Sequence, residues 1–111
     1  MSAQVILALT TCPDEASAQA LAAALVQERL ATCVSRIGGV HSTYFWDARL
    51  QDEAEILLII KTTAGRLDEL RSRLSALHPY ELPELLAIDV AGGNERYLDW
   101  VRMGVQNKGE Q

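Results

Sequence analysis

Apolar and polar positions divide the first part of the chain into a strand, a helix and a second strand. An apolar run at residues 5–11 predicts the first strand, and the proline and acids at 13–15 suit the first turn of a helix. Residues 14–30 are rich in alanine, leucine and glutamate, which favour a helix. β-Branched and aromatic residues recur at every second position over 31–46, which predicts a second strand bent at Gly38-Gly39.

The second part of the chain predicts a hairpin partner, a second helix, a fourth strand and a last helix. Residues 46–49 are the expected hairpin turn, and the apolar-centred stretch 50–63 predicts a long third strand. Leucines at helical spacing over 67–77 predict an amphipathic helix. Residues 85–90 predict the fourth strand, and Asn94 is a suitable N-cap for a C-terminal helix.

This order of elements predicts an α+β fold. Strand, helix, strand, strand, helix, strand is the ferredoxin-like βαββαβ pattern, here with a long hairpin between the second and third strands and an added C-terminal helix. The length of 111 residues is that of one domain. We therefore expect residues 1–111 to form a single domain whose polar tail, residues 106–111, is frayed.

The strands predict burial of both faces of the sheet. Two helices cover one face in this fold, yet the first, third and fourth strands are apolar on both sides. A third strand of this length would span roughly 45 Å, whereas a domain of this size is only about 34 Å across. We expect sister chains to bury the second face and the overhanging hairpin. The alternative is that the strands are shorter, with Gly38-Gly39 and Asp52-Glu53 in loops.

The composition limits the binding partners and the cellular compartment that we expect for this protein. A formal charge of -5 and a pI near 4.9 make nucleic acid and anionic membranes unfavourable partners. No apolar run approaches the length of about 20 residues that a membrane helix needs, and the first apolar run is too short for a secretory signal. We expect a cytoplasmic protein in which Cys12 and Cys33 are free thiols.

Five sequence motifs occur in a fixed order between residues 5 and 101. They are PDE at 13–15, STYFW at 42–46, EILLIIKT at 55–62, HPYELPE at 78–84 and YLDW at 97–100. Together they resemble the CutA family of divalent-cation tolerance proteins. The resemblance implies a ferredoxin-like subunit, a homotrimer and a part in tolerance of divalent metals, copper especially. It implies neither catalysis nor an organic cofactor.

The sequence departs from the family pattern in two places. Ala48 and Arg49 stand in the hairpin turn where relatives commonly carry glycine and lysine, so we expect a turn without the positive φ that glycine permits. Some bacterial relatives carry a cysteine and a histidine where this chain has Thr10 and Leu77. A copper site of that type would lack two ligands here.

His78, Glu84 and Cys12 are the candidate ligands for Cu(II) or another divalent cation. Imidazole suits copper and zinc, a carboxylate completes the sphere, and a thiol at a helix N-terminus is expected to favour the thiolate. The structural alternatives are a histidine that caps a helix end, a solvated glutamate and a half-buried thiol. Four acids near the hairpin are expected to form a solvated charged edge: Asp47, Asp52, Glu53 and Glu55.

A second group of residues gathers, by the resemblance, in a cleft between subunits. Its members are Tyr44, Trp46, Lys61, Tyr80, Glu81, Tyr97 and Trp100. Aromatic walls with one lysine and one glutamate suit a small polar or anionic ligand. The alternative is plain subunit interface, where tyrosine and tryptophan are also enriched.

Three other functions are open to this topology. A trimeric, ligand-responsive regulator like the PII signalling proteins is the main alternative, although nucleotide binding needs a basic, glycine-rich phosphate loop. An acylphosphatase-like hydrolase needs an arginine and an asparagine at an anion cradle, and the turn after the first strand has neither. An RNA-binding module needs aromatic residues on its central strands and a basic surface, whereas the first and third strands here lack aromatics and the net charge is negative.

Overall fold

The computed structural model describes residues 3–106 and contains four strands and three α-helices in that range. The strands are β1 (Val5–Cys12), β2 (Cys33–Trp46), β3 (Arg49–Thr63) and β4 (Leu86–Asp89). The helices are α1 (Glu15–Gln27), α2 (Leu67–Leu77) and α3 (Glu95–Gly104), and one 3-10 turn (Ala64–Arg66) precedes α2. The predicted frayed tail lies outside the described residues except for Gln106.

The strands form one antiparallel sheet in the order β2-β3-β1-β4. Ala8 at the centre of β1 pairs with Ile60 on one side and with Ala87 on the other. With α1 and α2 as the crossovers, this is the predicted ferredoxin-like α+β fold. No helix within residues 3–106 is long and apolar enough to cross a membrane.

The main core lies between one face of the sheet and the helices α1 and α2. Leu58 and Ile60 of β3 are fully buried there against Leu25 of α1 and Leu70 and Leu74 of α2. Because side chains alternate along a strand, the odd-numbered residues of β1 and β3 point to the other face.

That other face, which we call the open face, is apolar and mostly uncovered. It comprises Leu7, Leu9, Leu57, Ile59, Leu86 and Ile88. Helix α3 covers only one end of this side, where Leu98 and Val101 pack against Val5. Leu86 and Ile88 of the edge strand remain 56% and 48% exposed. The expected double-sided apolar sheet is therefore present in each chain.

The β2–β3 hairpin extends well beyond the helices. Its pairing runs from Cys33 opposite Lys61 to Trp46 opposite Arg49, and the described chain measures 49 × 26 × 21 Å. The register shifts once between Ile37 and Val40, where Gly39 has a φ of 80°. The bend was predicted at this place, and the alternative of shorter strands is wrong.

The hairpin turn corrects one expectation. Asp47 and Ala48 both have positive φ, 51° and 60°, between the paired residues Trp46 and Arg49. Two-residue hairpin loops favour this left-handed geometry because its twist matches that of the strands. The expectation that Ala48 would avoid positive φ was wrong, since closure of the hairpin overrides the preference of the alanine.

Side-chain caps mark the starts of two helices, and a left-handed turn follows the end of α1. The Asp14 carboxylate accepts a hydrogen bond of 2.8 Å from the Ser17 amide and caps α1, and Asn94 caps α3 in the same way. Helix α1 ends at Gln27, three residues before the predicted end. Arg29 adopts a φ of 59°, and the Leu30 amide turns back to donate to the Leu25 carbonyl.

Candidate functional site

An open cavity of about 620 Å³ lies beside the hairpin, where the end of β1 meets the loop between α2 and β4. Its lining residues fall into an aromatic, an acidic and a hydroxyl-bearing group. They include Tyr44, Trp46 and Tyr80; Glu55, Glu81 and Glu84; and Thr11, Ser42 and Thr43. Neither lysine nor arginine occurs among the lining residues of this cavity within residues 3–106.

The strand register explains why these side chains meet. Paired residues of an antiparallel ladder share a face, and Val40 pairs with Glu55 after the bulge. Ser42, Tyr44 and Trp46 follow Val40 at intervals of two, so they lie on the same face as Glu55. One wall of the cavity is thus built by alternation along β2.

His78 fixes the loop that forms the opposite wall. Its Nε2 donates a 2.8 Å hydrogen bond to the Thr11 carbonyl, and its Nδ1 accepts one of 3.1 Å from the Tyr80 amide. These partners assign the neutral tautomer with the proton on Nε2. The ring is 7% exposed and packs against the Tyr80 ring at 5.0 Å. His78 therefore holds the loop against the end of β1.

Glu55 is a buried carboxylate at the base of the cavity. It is 6% exposed, and its Oε2 accepts a 2.7 Å hydrogen bond from the Tyr80 hydroxyl. Burial alone would raise the pKa of Glu55, but the hydroxyls of Ser42, Tyr80 and Thr11 favour the carboxylate and bring the pKa below its ordinary value. Glu55 is therefore ionised at neutral pH.

Tyr80 stays a hydrogen-bond donor to this carboxylate. Burial is the largest cause of the raised pKa of the Tyr80 phenol. The hydrogen bond to Glu55 and the negative charge of that carboxylate raise the pKa further. The phenol is accordingly protonated throughout the physiological range, and the Tyr80–Glu55 contact joins the loop to β3.

Cys12 does not have the lowered thiol pKa that was expected at a helix N-terminus. It is fully buried, with Sγ 3.8 Å from His78 Nε2. Burial raises the pKa of the thiol, and the nearby carboxylates of Asp14 and Glu55 raise it further against an opposing hydrogen bond with Ser17. The expectation that the N-terminus of α1 would favour a thiolate was wrong because desolvation is the larger effect.

The three predicted metal ligands do not form a ready-made site in one chain. Cys12 and His78 lie together, but both ring nitrogens of His78 are engaged by backbone groups, and Glu84 is an exposed residue of the cavity. Among residues 3–106, no three His, Cys, Asp or Glu side chains are close enough to hold an ion. The residues of a single chain thus do not fit a closed metal site, and a metal-binding role for His78, Glu84 and Cys12 stays a prediction.

The seven residues predicted to line a cleft between subunits lie in three different places in the structure. Tyr44, Trp46, Tyr80 and Glu81 all line the cavity. Lys61 lies on the open side of the sheet, with Nζ 2.6 Å from Ser35 Oγ, and Tyr97 packs against Trp100 on α3 at 5.5 Å. A gathering of all seven residues between subunits stays a prediction.

Sequence reasoning missed the central residue of the site. Glu55 was assigned to a solvated edge, yet it is buried beneath the cavity. A signal was present in the sequence, because Glu55 continues the odd-numbered series of Leu57 and Ile59 on the apolar open face. An acid in that series needs polar partners, and Tyr80 is one of them.

The elements around the cavity lie within a match to a known protein family. The family model described as CutA1 divalent ion tolerance protein matches residues 6–103. This chain belongs to that family. The matched range begins at the second residue of β1 and ends within α3. It therefore includes every element that forms the cavity.

Curated CutA relatives come from bacteria and plants. The chain is 46% identical over 94 residues to the divalent-cation tolerance protein CutA of Thermus thermophilus, a match that covers 85% of this chain and 91% of the relative. It is 37% identical over 102 residues to the chloroplastic protein CutA of Arabidopsis thaliana, which covers 92% of this chain and 56% of that longer protein.

Solved CutA structures share the whole fold. CutA from Xylella fastidiosa superposes with a TM-score of 0.90 at 44% identity, covering 93% of this chain and 99% of that one. CutA1 from Oryza sativa superposes with a TM-score of 0.92 at 36% identity, covering 96% and 98%. The long hairpin and the C-terminal helix are thus elements of the CutA1 fold.

Proposed function

We propose that this CutA1-family chain acts in divalent-cation tolerance as a homotrimer that binds the cation directly, copper included, and catalyses no reaction. The observation that carries the assembly in this proposal is the apolar open face, which a single chain leaves in contact with water. A patch of this kind on a small protein marks an interaction surface.

Assembly with sister chains suits the dimensions of the molecule. The hairpin extends the described chain to 49 Å along its longest axis, against 26 and 21 Å along the other two. Strand β4 is an edge strand with Leu86 and Ile88 exposed. Packing hairpins and edge strands of identical chains together buries both features at once. A closed ring, of three chains in this proposal, can bury both features because each chain offers its exposed surface to a neighbour.

Direct cation binding is supported by the charge of the cavity. Its lining includes Glu55, Glu81 and Glu84 and neither lysine nor arginine. Glu81 and Glu84 are exposed at the loop, so their carboxylates are available without breaking a hydrogen bond to Tyr80. Carboxylates bind divalent cations through oxygen. The engaged nitrogens of His78 make the loop carboxylates the better donors.

Calorimetric titration with Cu(II) of the metal-free protein tests this part of the proposal. We expect about one ion per chain, with binding weakened about tenfold in a Glu81→Gln, Glu84→Gln double variant. Glu53→Gln removes one charge outside the cavity lining and is the matched control.

Two results would change the assignment of the metal site. Absence of Cu(II) binding to the wild-type protein contradicts direct binding. Loss of binding in His78→Ala, with the Glu81, Glu84 double variant unaffected, would restore the ligand set predicted from the sequence in place of the loop carboxylates.

We also propose a cytoplasmic location. The support is the state of the cysteines, since Cys12 and Cys33 are both free, as is usual in a reducing compartment. Cell fractionation with a compartment marker tests it.

A PII-like regulator that binds an anionic ligand is the weaker alternative. Phosphate groups need backbone amides or basic side chains, and the cavity lining is acidic. A thermal-shift screen with nucleotides addresses this alternative, because a specific ligand raises the melting temperature.

A further inference from the structure

The carboxylate of Glu55 makes no salt bridge in the described part of the chain, and His78 acts on it only from a distance. Glu55 is 6% exposed and accepts a hydrogen bond from Tyr80, but the ion pairs among residues 3–106 all involve other acids. Buried charges in proteins are normally paired or bound to an ion. The charge on Glu55 therefore favours a cation in the cavity.

Aromatic rings surround the same space. Tyr44 and Trp46 come from the hairpin, and Tyr80 comes from the loop that His78 holds in place. The faces of such rings attract cations, tryptophan most strongly, and they suit ammonium groups that carry apolar substituents. A hydrated metal ion gains much less from these walls than an organic cation does.

We propose that the cavity binds a small organic ammonium ion, with Glu55 as its counter-charge and Tyr44, Trp46 and Tyr80 as its walls. This goes beyond the proposed tolerance function, and the residues that carry it all belong to one chain. The volume of about 620 Å³ is within the range of small-molecule sites. The lining is wrong for an anion because its charged side chains are all acidic.

Choline is a suitable probe because it combines a quaternary ammonium with a small apolar surface. Titration calorimetry on the protein in its native assembly state should detect choline binding. The uncharged isostere, in which carbon replaces the nitrogen, should bind at least about tenfold more weakly, since it keeps the shape but loses the attraction to Glu55 and the rings.

Single variants separate the contribution of the Glu55 charge to choline affinity from that of the aromatic rings. Glu55→Gln keeps an acceptor for the Tyr80 hydroxyl and should weaken choline binding about tenfold or more. Tyr44→Leu removes one ring and should weaken it about fivefold. Glu53→Gln lies on the same strand outside the cavity lining and should leave the affinity within about twofold. Circular dichroism and size-exclusion elution confirm that each variant is folded and assembled as the wild type is.

Three outcomes overturn the proposal: no choline binding, equal affinity for choline and its isostere, or unchanged affinity in Glu55→Gln. If Glu55→Gln instead weakens the assembly while choline fails to bind, a basic side chain of a sister chain occupies the cavity and the ligand proposal is wrong. Cu(II) titration and mass measurement are separate readouts, so failure here leaves the tolerance proposal standing, and the converse also holds.

Discussion

Glu55 shows how hydroxyl groups keep a buried carboxylate charged. Three hydroxyls favour its ionised form, and the resulting pKa lies below the ordinary value of 4.5. A residue that is ionised more easily in the folded protein than in the unfolded chain adds to stability above the unfolded pKa. That contribution disappears as the pH falls through the folded pKa.

The pH dependence of unfolding tests this role. Wild-type protein should lose more unfolding free energy than Glu55→Gln as the pH falls from 7 to below 4.5, since the glutamine has no proton to bind. Urea titrations at several pH values measure the difference. Parallel curves for the two proteins across this range would contradict it.

The positive φ of Ala48 lowers the stability of the hairpin turn relative to a turn with glycine at this position. A φ of 60° is disfavoured for a residue with a Cβ atom, and the adjoining Asp47 tolerates the left-handed region better. We expect Ala48→Gly to raise the unfolding free energy by about 0.5–1 kcal/mol, net of the extra freedom of glycine in the unfolded chain. Chemical denaturation of the two proteins measures this, and a destabilised variant would contradict the turn geometry.

At the scale of elements, α3 is placed by a close approach to the start of β2. A Cβ atom on Gly104 would lie 2.8 Å from Cβ of Thr32, whose hydroxyl donates to the Val101 carbonyl. The helix meets the sheet here through a hydrogen bond and through the absence of a side chain. Neither feature can be read from the periodicity of α3.

Gly104→Ala should therefore lower the unfolding free energy by about 1–3 kcal/mol, because α3 must move away from Thr32. Gly65→Ala is the matched control, since nothing lies within 4 Å of its added Cβ. Thermal unfolding of both variants checks this. Equal melting temperatures for the two would show that the contact is loose.

Local patterns predicted the elements well and their ends less well. Alternation and leucine spacing gave all four strands and three helices, because these signals depend on a few neighbouring residues. The end of α1 was predicted three residues late, since the left-handed turn at Arg29 has no glycine to mark it.

The candidate site was harder to predict because it depends on contacts between distant segments. Glu55 and Tyr80 are 25 positions apart, and Cys12 and His78 are 66 apart. The types of residue in the loop were recognised, but only the structure shows that the His78 nitrogens are taken and that Glu55 is buried.

At the scale of the whole molecule, the open face explains why the chain should associate. Apolar residues such as Leu57 and Ile59 lie on the side of the sheet that α1 and α2 do not cover, and α3 shields only one end. Removing this apolar area from water is the main favourable contribution to the free energy of association. The cavity adjoins this surface, because Glu55 in its lining continues the odd-numbered series of the open face along β3.

A charge on the open face should prevent assembly without unfolding the chain. Ile88 is about half exposed in a single chain, so Ile88→Lys is tolerated by the fold but places an ammonium in the proposed interface. Val26→Lys on α1 is the control, because Val26 is also exposed but lies away from the open face. Sedimentation velocity should show single chains for the first variant and the wild-type species for the second.

The most direct test is the mass of the wild-type protein in solution. Size exclusion with light scattering at micromolar concentration should give three times the chain mass of 12.2 kDa. A stable species of one chain mass would contradict the account, because the open face would then have to remain in contact with water.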